Sequence, residues 1–150
     1  MTTARRTAFL LAAALTFSAP LAAKEWPRIR IATEGAYPPF NMHAPDGRLI
    51  GYEIDLAADL CRRMAARCEV VAQDWDGIIP GLQSRKYDVI MAGMSITDER
   101  KQQVDFSEPY YRAAMTLVAP KDAGLTDTLE GLAGKVVGVQ RGTIHHDFME

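Results

Sequence analysis

Residues 69–92 read EVVAQDWDGIIPGLQSRKYDVIMA, and this stretch decides the fold. Its opening, 69–73, is rich in β-branched residues and predicts a strand. The apolar spacing of DGIIPGLQS predicts a helix over 76–84, and Pro80 is tolerable there because it falls in the first turns of a helix beginning near Asp76. YDVIMA then predicts a second strand over 87–92. Strand, helix and strand at this spacing form a βαβ unit, so the chain is α/β with a mostly parallel sheet.

Working upstream, RIRIAT at 28–33 is a strand and EGAYPPFN a loop, because Pro38-Pro39 continues neither ladder nor helix. APDGRLIGYE carries a Pro-Asp-Gly turn, which predicts a hairpin or tight reversal. From Tyr52 to about Met64, the positions Ile54, Leu56, Ala57, Leu60 and Met64 share one face of a helix. Downstream, a helix is predicted over 98–103, with Thr97 or Asp98 as its cap. AAMTLVAPK predicts a strand, TLEGLAGK a short helix and KVVGVQRG another strand; TIHHDFME reads as the opening of a further helix. That last unit cannot bury its own apolar surface, so the chain reads as one lobe and the opening of a second.

The 150 residues are 48% hydrophobic and 24% charged, a globular composition. A formal charge of −2 and the lack of a basic run argue against a nucleic-acid surface. Residues 1–23 pair a basic start, MTTARR, with the apolar run AFLLAAALTFSAPL and a small-residue end before Lys24, the pattern of a cleavable signal peptide. The apolar run is too short for a membrane span and is broken by Ser18 and Pro20. Cleavage after Ala23 leaves 15 basic against 19 acidic residues, a charge of −4.

Export makes Cys61 and Cys68 a candidate disulfide. On one continuous helix their Cα atoms would stand about 10.5 Å apart, beyond the roughly 4.4–6.8 Å that a bridge spans. A bridge therefore requires the helix to end between them; two buried free thiols are the alternative. No histidine lies near either cysteine, which argues against metal binding.

Ligands of parallel sheets bind beyond the carboxyl ends of the strands. Glu34 and Tyr37 follow the first strand, Trp75 follows the strand at 69–73, and Ala92, Gly93 and Ser95 follow the strand at 87–92. The run ITDER then places Arg100 in the first turn of a helix, where the backbone is already positive. Beside helix N–H groups and a serine hydroxyl, that guanidinium forms a site for a carboxylate. A surface ion pair with Asp105 or Glu108 is the plainer alternative. Glu34 suits an ammonium or guanidinium, and Tyr37 and Trp75 offer flat apolar walls. Together they describe a site for an amino acid.

EGAYPPFN, GYEIDLAADLC, DWDGIIPGLQSRKYDVIMAGMSITDERKQQVDFSEPYY and GKVVGVQRGT resemble the periplasmic solute-binding proteins of polar amino-acid ABC importers (family 3). Within that family they are most similar to the binders of lysine/arginine/ornithine, histidine and the opines octopine and nopaline. The resemblance covers residues 28–150, and SIT-x-x-R is its most specific part. It implies a type II periplasmic-binding fold, two α/β lobes that close like a hinged clamp. The first lobe would be nearly complete and the second only begun: 1–23 signal peptide, 24–119 lobe one, 120–150 the start of a truncated lobe two. It also implies a Cys61–Cys68 disulfide. The implied protein is a periplasmic monomer without cofactor or metal, which captures a cationic amino acid or an arginine-derived opine and presents it to an inner-membrane permease.

By the same resemblance, Arg100 would hold the ligand α-carboxylate, assisted by Ser95 and the backbone at Gly93 and capped by Thr143. Glu34 would meet the basic group, Tyr37 and Trp75 would sandwich the stem, and Gln140 and His145 would line the second-lobe side. Ala92 and Gly93 stand where the lysine/arginine binders have hydroxyl residues, and Glu34 is one methylene longer than their acid. Both departures, with TEGAYPPFN and GTIHHDF, lean toward the opine binders. The family's acid for the ligand α-amino group would lie beyond residue 150. The same fold also houses cyclohexadienyl dehydratases, for which Glu34 and the pair His145-His146 are the acid–base candidates, and ligand-sensing input domains.

Overall fold

The computed structural model describes residue 26, residues 28–126 and residues 128–150; the signal peptide expected at 1–23 lies outside the described residues. In chain order the elements are β1 (Arg28–Thr33), β2 (Ala36–Tyr37), β3 (Asn41–His43), β4 (Leu49–Ile50), α1 (Tyr52–Arg63) and β5 (Arg67–Ala72). A 3-10 turn (Trp75–Gly77) leads into α2 (Ile78–Gln83), followed by β6 (Val89–Ile90), α3 (Asp98–Lys101), α4 (Leu129–Leu132) and α5 (Ile144–Met149).

β1 is the middle strand of a parallel sheet of order β5-β1-β6. Its register pairs Ile29 with Cys68 and Ile31 with Val70 on one side, and Ala32 with Ile90 on the other. Because side chains alternate along a strand, Ile29 and Ile31 face α1, where they pack with Ala57, Cys61 and Met91. Ala32 faces α2 and packs with Ile78, Tyr87 and Ala92. The sheet is therefore covered on both faces, as a parallel sheet requires. β2, β3 and β4 form a small antiparallel sheet, with the Pro-Asp-Gly turn between β3 and β4. Gly47 in that turn adopts φ 84°, a conformation glycine takes without strain.

α1 ends at Arg63, and Ala65 takes φ 51°, which turns the chain back into β5. The reversal brings the Cys61 and Cys68 Cα atoms to 6.1 Å, and the two are disulfide-bonded. The bridge joins α1 to β5 inside the α1-side core.

Several expectations need correction. The buried line of α1 is Glu53, Ala57 and Cys61, while Leu60 and Met64 are exposed. Ala57 and Cys61 pack against Ile29, Ile31 and Met91, and Glu53 on the same line is met by Asn41, Gly93 and Tyr110. EGAYPPFN is not all loop, since Ala36–Tyr37 pairs with β3. The strand expected over 87–92 pairs only at Val89–Ile90, although Met91 N–H still bonds the Ala32 carbonyl at 2.8 Å. The helix expected over 98–103 spans Asp98–Lys101, with Thr97 as its cap. AAMTLVAPK and KVVGVQRG form no strand. Among the described residues no neighbouring strand receives their backbone bonds, and Val118 and Val136 lie exposed. Among the described residues no helix is long and apolar enough to cross a membrane.

Candidate functional site

The carboxyl ends of β1, β5 and β6 open onto a cleft of about 610 Å³. Strand order reverses about β1, the arrangement that leaves a crevice between the loops after β1 and β6. Glu34, Tyr37, Trp75, Ala92, Gly93, Ser95, Arg100, Gln140, Thr143 and His145 all line it. The topology therefore brings together all ten residues expected to bind ligand, while His146 of the His145-His146 pair does not line the cleft.

Arg100 lies in the last turn of a four-residue helix, so its charge is not opposed by a long helix dipole. Its backbone N–H donates to the Thr97 hydroxyl at 3.2 Å. The guanidinium is buried and donates to the Ser95 carbonyl at 2.8 Å and the Gly142 carbonyl at 2.9 Å. It also sits over the Trp75 ring, 5.4 Å from its centroid. No carboxylate pairs with it among the described residues, so the ion pair with Asp105 or Glu108 is absent. Burial pushes the guanidinium pKa down, and the charges of Asp147 and Glu99 pull it back. Two neutral carbonyls do not cancel a buried cation, so the site favours an anion.

Glu34 is half-buried at the end of β1 and accepts from the Gln140 amide at 2.5 Å. Three more contacts bind residues 140–143 to the same rim. Trp75 Nε1 donates to the Gly142 carbonyl at 2.9 Å, Arg100 shares that acceptor, and Arg141 pairs with Asp76 at 2.7 Å. The Thr143 hydroxyl is engaged within its own segment, donating to the Gln140 carbonyl and capping α5. Tyr37 stacks on Phe40, with centroids 5.1 Å apart, and Phe40 in turn meets Tyr111 and Tyr52. A side chain at position 93 would lie 2.9 Å from the Tyr37 ring, so Gly93 is what lets that ring close over the loop.

Glu53, Phe40, Tyr110 and Tyr111 also line the cleft, and the sequence reading missed them. Glu53 is buried and accepts from the Asn41 amide at 2.6 Å, from Gly93 N–H at 2.7 Å and from the Tyr110 hydroxyl. The Gly93 N–H is thus committed, and only its carbonyl remains to assist a ligand. A carboxylate spaced i, i+4, i+8 with Ala57 and Cys61 was the signal for Glu53, because an acid in an apolar stripe needs dedicated donors. Burial and Glu53 together raise the Tyr110 hydroxyl well above its ordinary pKa. Among the described residues no group of three or more His, Cys, Asp or Glu could hold a metal ion.

The family model of bacterial extracellular solute-binding proteins, family 3, matches residues 29–143. The octopine-binding periplasmic protein of Rhizobium meliloti is 50% identical over 118 residues, covering 79% of this chain and 40% of its own. The L-arginine-binding protein of Pseudomonas aeruginosa is 44% identical over 140 residues, covering 93% and 54%. A solved structure of an ancestral arginine-binding protein bound to arginine has a TM-score of 0.78 at 43% identity, covering 83% of this chain and 55% of that one. The chain spans about half the length of the curated relatives it matches.

Proposed function

The chain belongs to family 3 of the bacterial extracellular solute-binding proteins, and from that premise we propose that it captures a cationic amino acid or an arginine-derived opine in the periplasm. The observation that carries this reading is the buried Arg100 guanidinium, which among the described residues has carbonyl partners and no carboxylate, facing a cleft that also holds Glu34. A zwitterion with a basic tail supplies both missing charges: its α-carboxylate goes to Arg100 and its cation to Glu34. Tyr37 and Trp75 flank the stem, and the Ser95 hydroxyl assists at the carboxylate, while the Gly93 carbonyl, an acceptor, is left for an N–H of the ligand. Residues 24–119 act as the first lobe; the segment from 120 to 150 opens the second and brings Gln140, Thr143 and His145 over the ligand.

The work is capture without chemistry, performed by a monomer that hands its ligand to an inner-membrane permease. The names of the relatives, one an octopine binder and one an arginine binder, support the same two ligand classes. Calorimetry on the disulfide-bonded chain with arginine, lysine, ornithine, histidine, octopine and nopaline tests the reading. Saturable heat with at least one of them is expected. Equal heats for neutral amino acids, or consumption of prephenate by the chain, would refute it.

A further inference from the structure

Glu53 is 1% exposed, and no cation pairs with it among the described residues. It is met instead by three donors that come from different walls of the cleft. The Gly35 N–H, on the wall that carries Glu34, donates to Asn41 Oδ1 at 2.7 Å, and Asn41 Nδ2 donates to Glu53 Oε2 at 2.6 Å. From the opposite wall, Gly93 N–H donates to Glu53 Oε1 at 2.7 Å. The Tyr110 hydroxyl, in the segment that leaves the first sheet, donates to that same oxygen. We infer that Glu53 is a positioning residue that holds both walls of the cleft in register, and that ligand affinity depends on it through Gly35, Gly93 and Tyr110. This rests on the ligand-capture reading above.

The network has one polarity. Backbone N–H groups lie at both ends, so every member between them must accept toward its end, and only a carboxylate accepts on both of its oxygens. An amide at position 53 fails in either orientation: its NH₂ would face either the Asn41 NH₂ or the Gly93 N–H and Tyr110 hydroxyl. A buried donor facing a donor leaves both unsatisfied. The polarity can be restored by moving the acid one step along the chain. With Asn41→Asp added to Glu53→Gln, the new carboxylate at 41 accepts from Gly35 N–H and from the new amide at 53, whose oxygen keeps Gly93 and Tyr110. The formal charge is unchanged.

The test uses the disulfide-bonded chain, with arginine as the calorimetric probe and amide hydrogen exchange read by NMR in the ligand-free proteins. Glu53→Gln is expected to weaken arginine at least about tenfold and to accelerate exchange at Gly35 and Gly93. The double variant is expected to return both readouts close to wild type, a rescue that general damage to the core would not show. Unchanged affinity and exchange in Glu53→Gln, or a double variant no better than the single one, overturns the inference. Should Glu53→Gln not fold, Tyr110→Phe removes one donor at constant shape; faster Gly93 exchange there supports the network and unchanged exchange overturns it. A wild-type chain that takes up neither arginine nor any other cationic ligand would defeat the ligand reading, and the exchange rates alone would then decide for or against Glu53.

Discussion

Arg100 carries its charge into a site where, among the described residues, carbonyl oxygens and the Trp75 ring meet it and no carboxylate does. Neither contact depends on its helix being long; Thr97 caps the backbone and Trp75 supports the guanidinium from one face. Arg100→Ala is expected to abolish binding of every cationic ligand tested, and Arg100→Lys to weaken it at least about tenfold, because a point charge cannot clamp a carboxylate in two places. Calorimetry checks both, and wild-type affinity in Arg100→Ala would remove it from the site. A second residue tests the core beneath. The Thr33 hydroxyl is buried at the end of β1 and has no hydrogen-bond partner among the described residues. An unsatisfied buried hydroxyl costs about 1–3 kcal/mol, so the near-isosteric Thr33→Val is expected to hold or raise Tm; a clear fall in a thermal melt would show that the hydroxyl is used.

Between elements, the clamp that registers β1 against β6 is Arg30 on Asp88. Arg30 Nε and NH2 meet the two carboxylate oxygens at 3.0 and 2.8 Å, and the Arg30 backbone N–H adds a third bond at 2.9 Å. The guanidinium hydrogen bond is the main cause that holds Asp88 down at a pKa of about 2. The folded pKa lies below the ordinary carboxylate value of about 3.9, so the stabilisation is present above that value and is lost as pH falls toward 2. Asp88→Asn is expected to lower Tm by a few degrees at pH 7 and to flatten the loss of stability between about pH 4 and pH 2. Melts across that range check it, and parallel curves for the two proteins would contradict it. The pair is partly exposed, so high salt is expected to narrow the difference.

Across the whole molecule, the disulfide and the segment at residues 140–143 do separate work. The bridge closes a loop of sequence separation 7, worth about 2.5 kcal/mol in the chain-entropy account. Cys61→Ala with Cys68→Ala is therefore expected to lower the unfolding free energy by that amount, seen as a lower urea midpoint, while leaving ligand affinity within a few fold, since neither cysteine lines the cleft. Urea unfolding and calorimetry on one preparation check both halves. Loss of binding in a folded double variant would make the bridge part of the site. Residues 140–143 instead approach the rim directly, through Glu34, Trp75, Asp76 and Arg100.

Local chemistry was enough to determine the parallel α/β plan, the helix from Tyr52, a chain reversal at Gly47 and the convergence of Glu34, Tyr37, Trp75, Ser95 and Arg100 on one rim. Those follow from side-chain period, turn residues and the rule that loops at the carboxyl ends of parallel strands converge. Three things were decided only by tertiary structure. Which stripe of α1 is buried depended on what packs against it, so Glu53, met by donors from elsewhere in the chain, went inside while Leu60 and Met64 stayed out. Whether AAMTLVAPK and KVVGVQRG are strands depended on a partner, because a ladder is a bond between two segments and no segment carries it alone. The work of Glu53 depended on Asn41, Gly93 and Tyr110 arriving from three other parts of the chain; its spacing with Ala57 and Cys61 marks the burial, but nothing local names the distant donors that satisfy it.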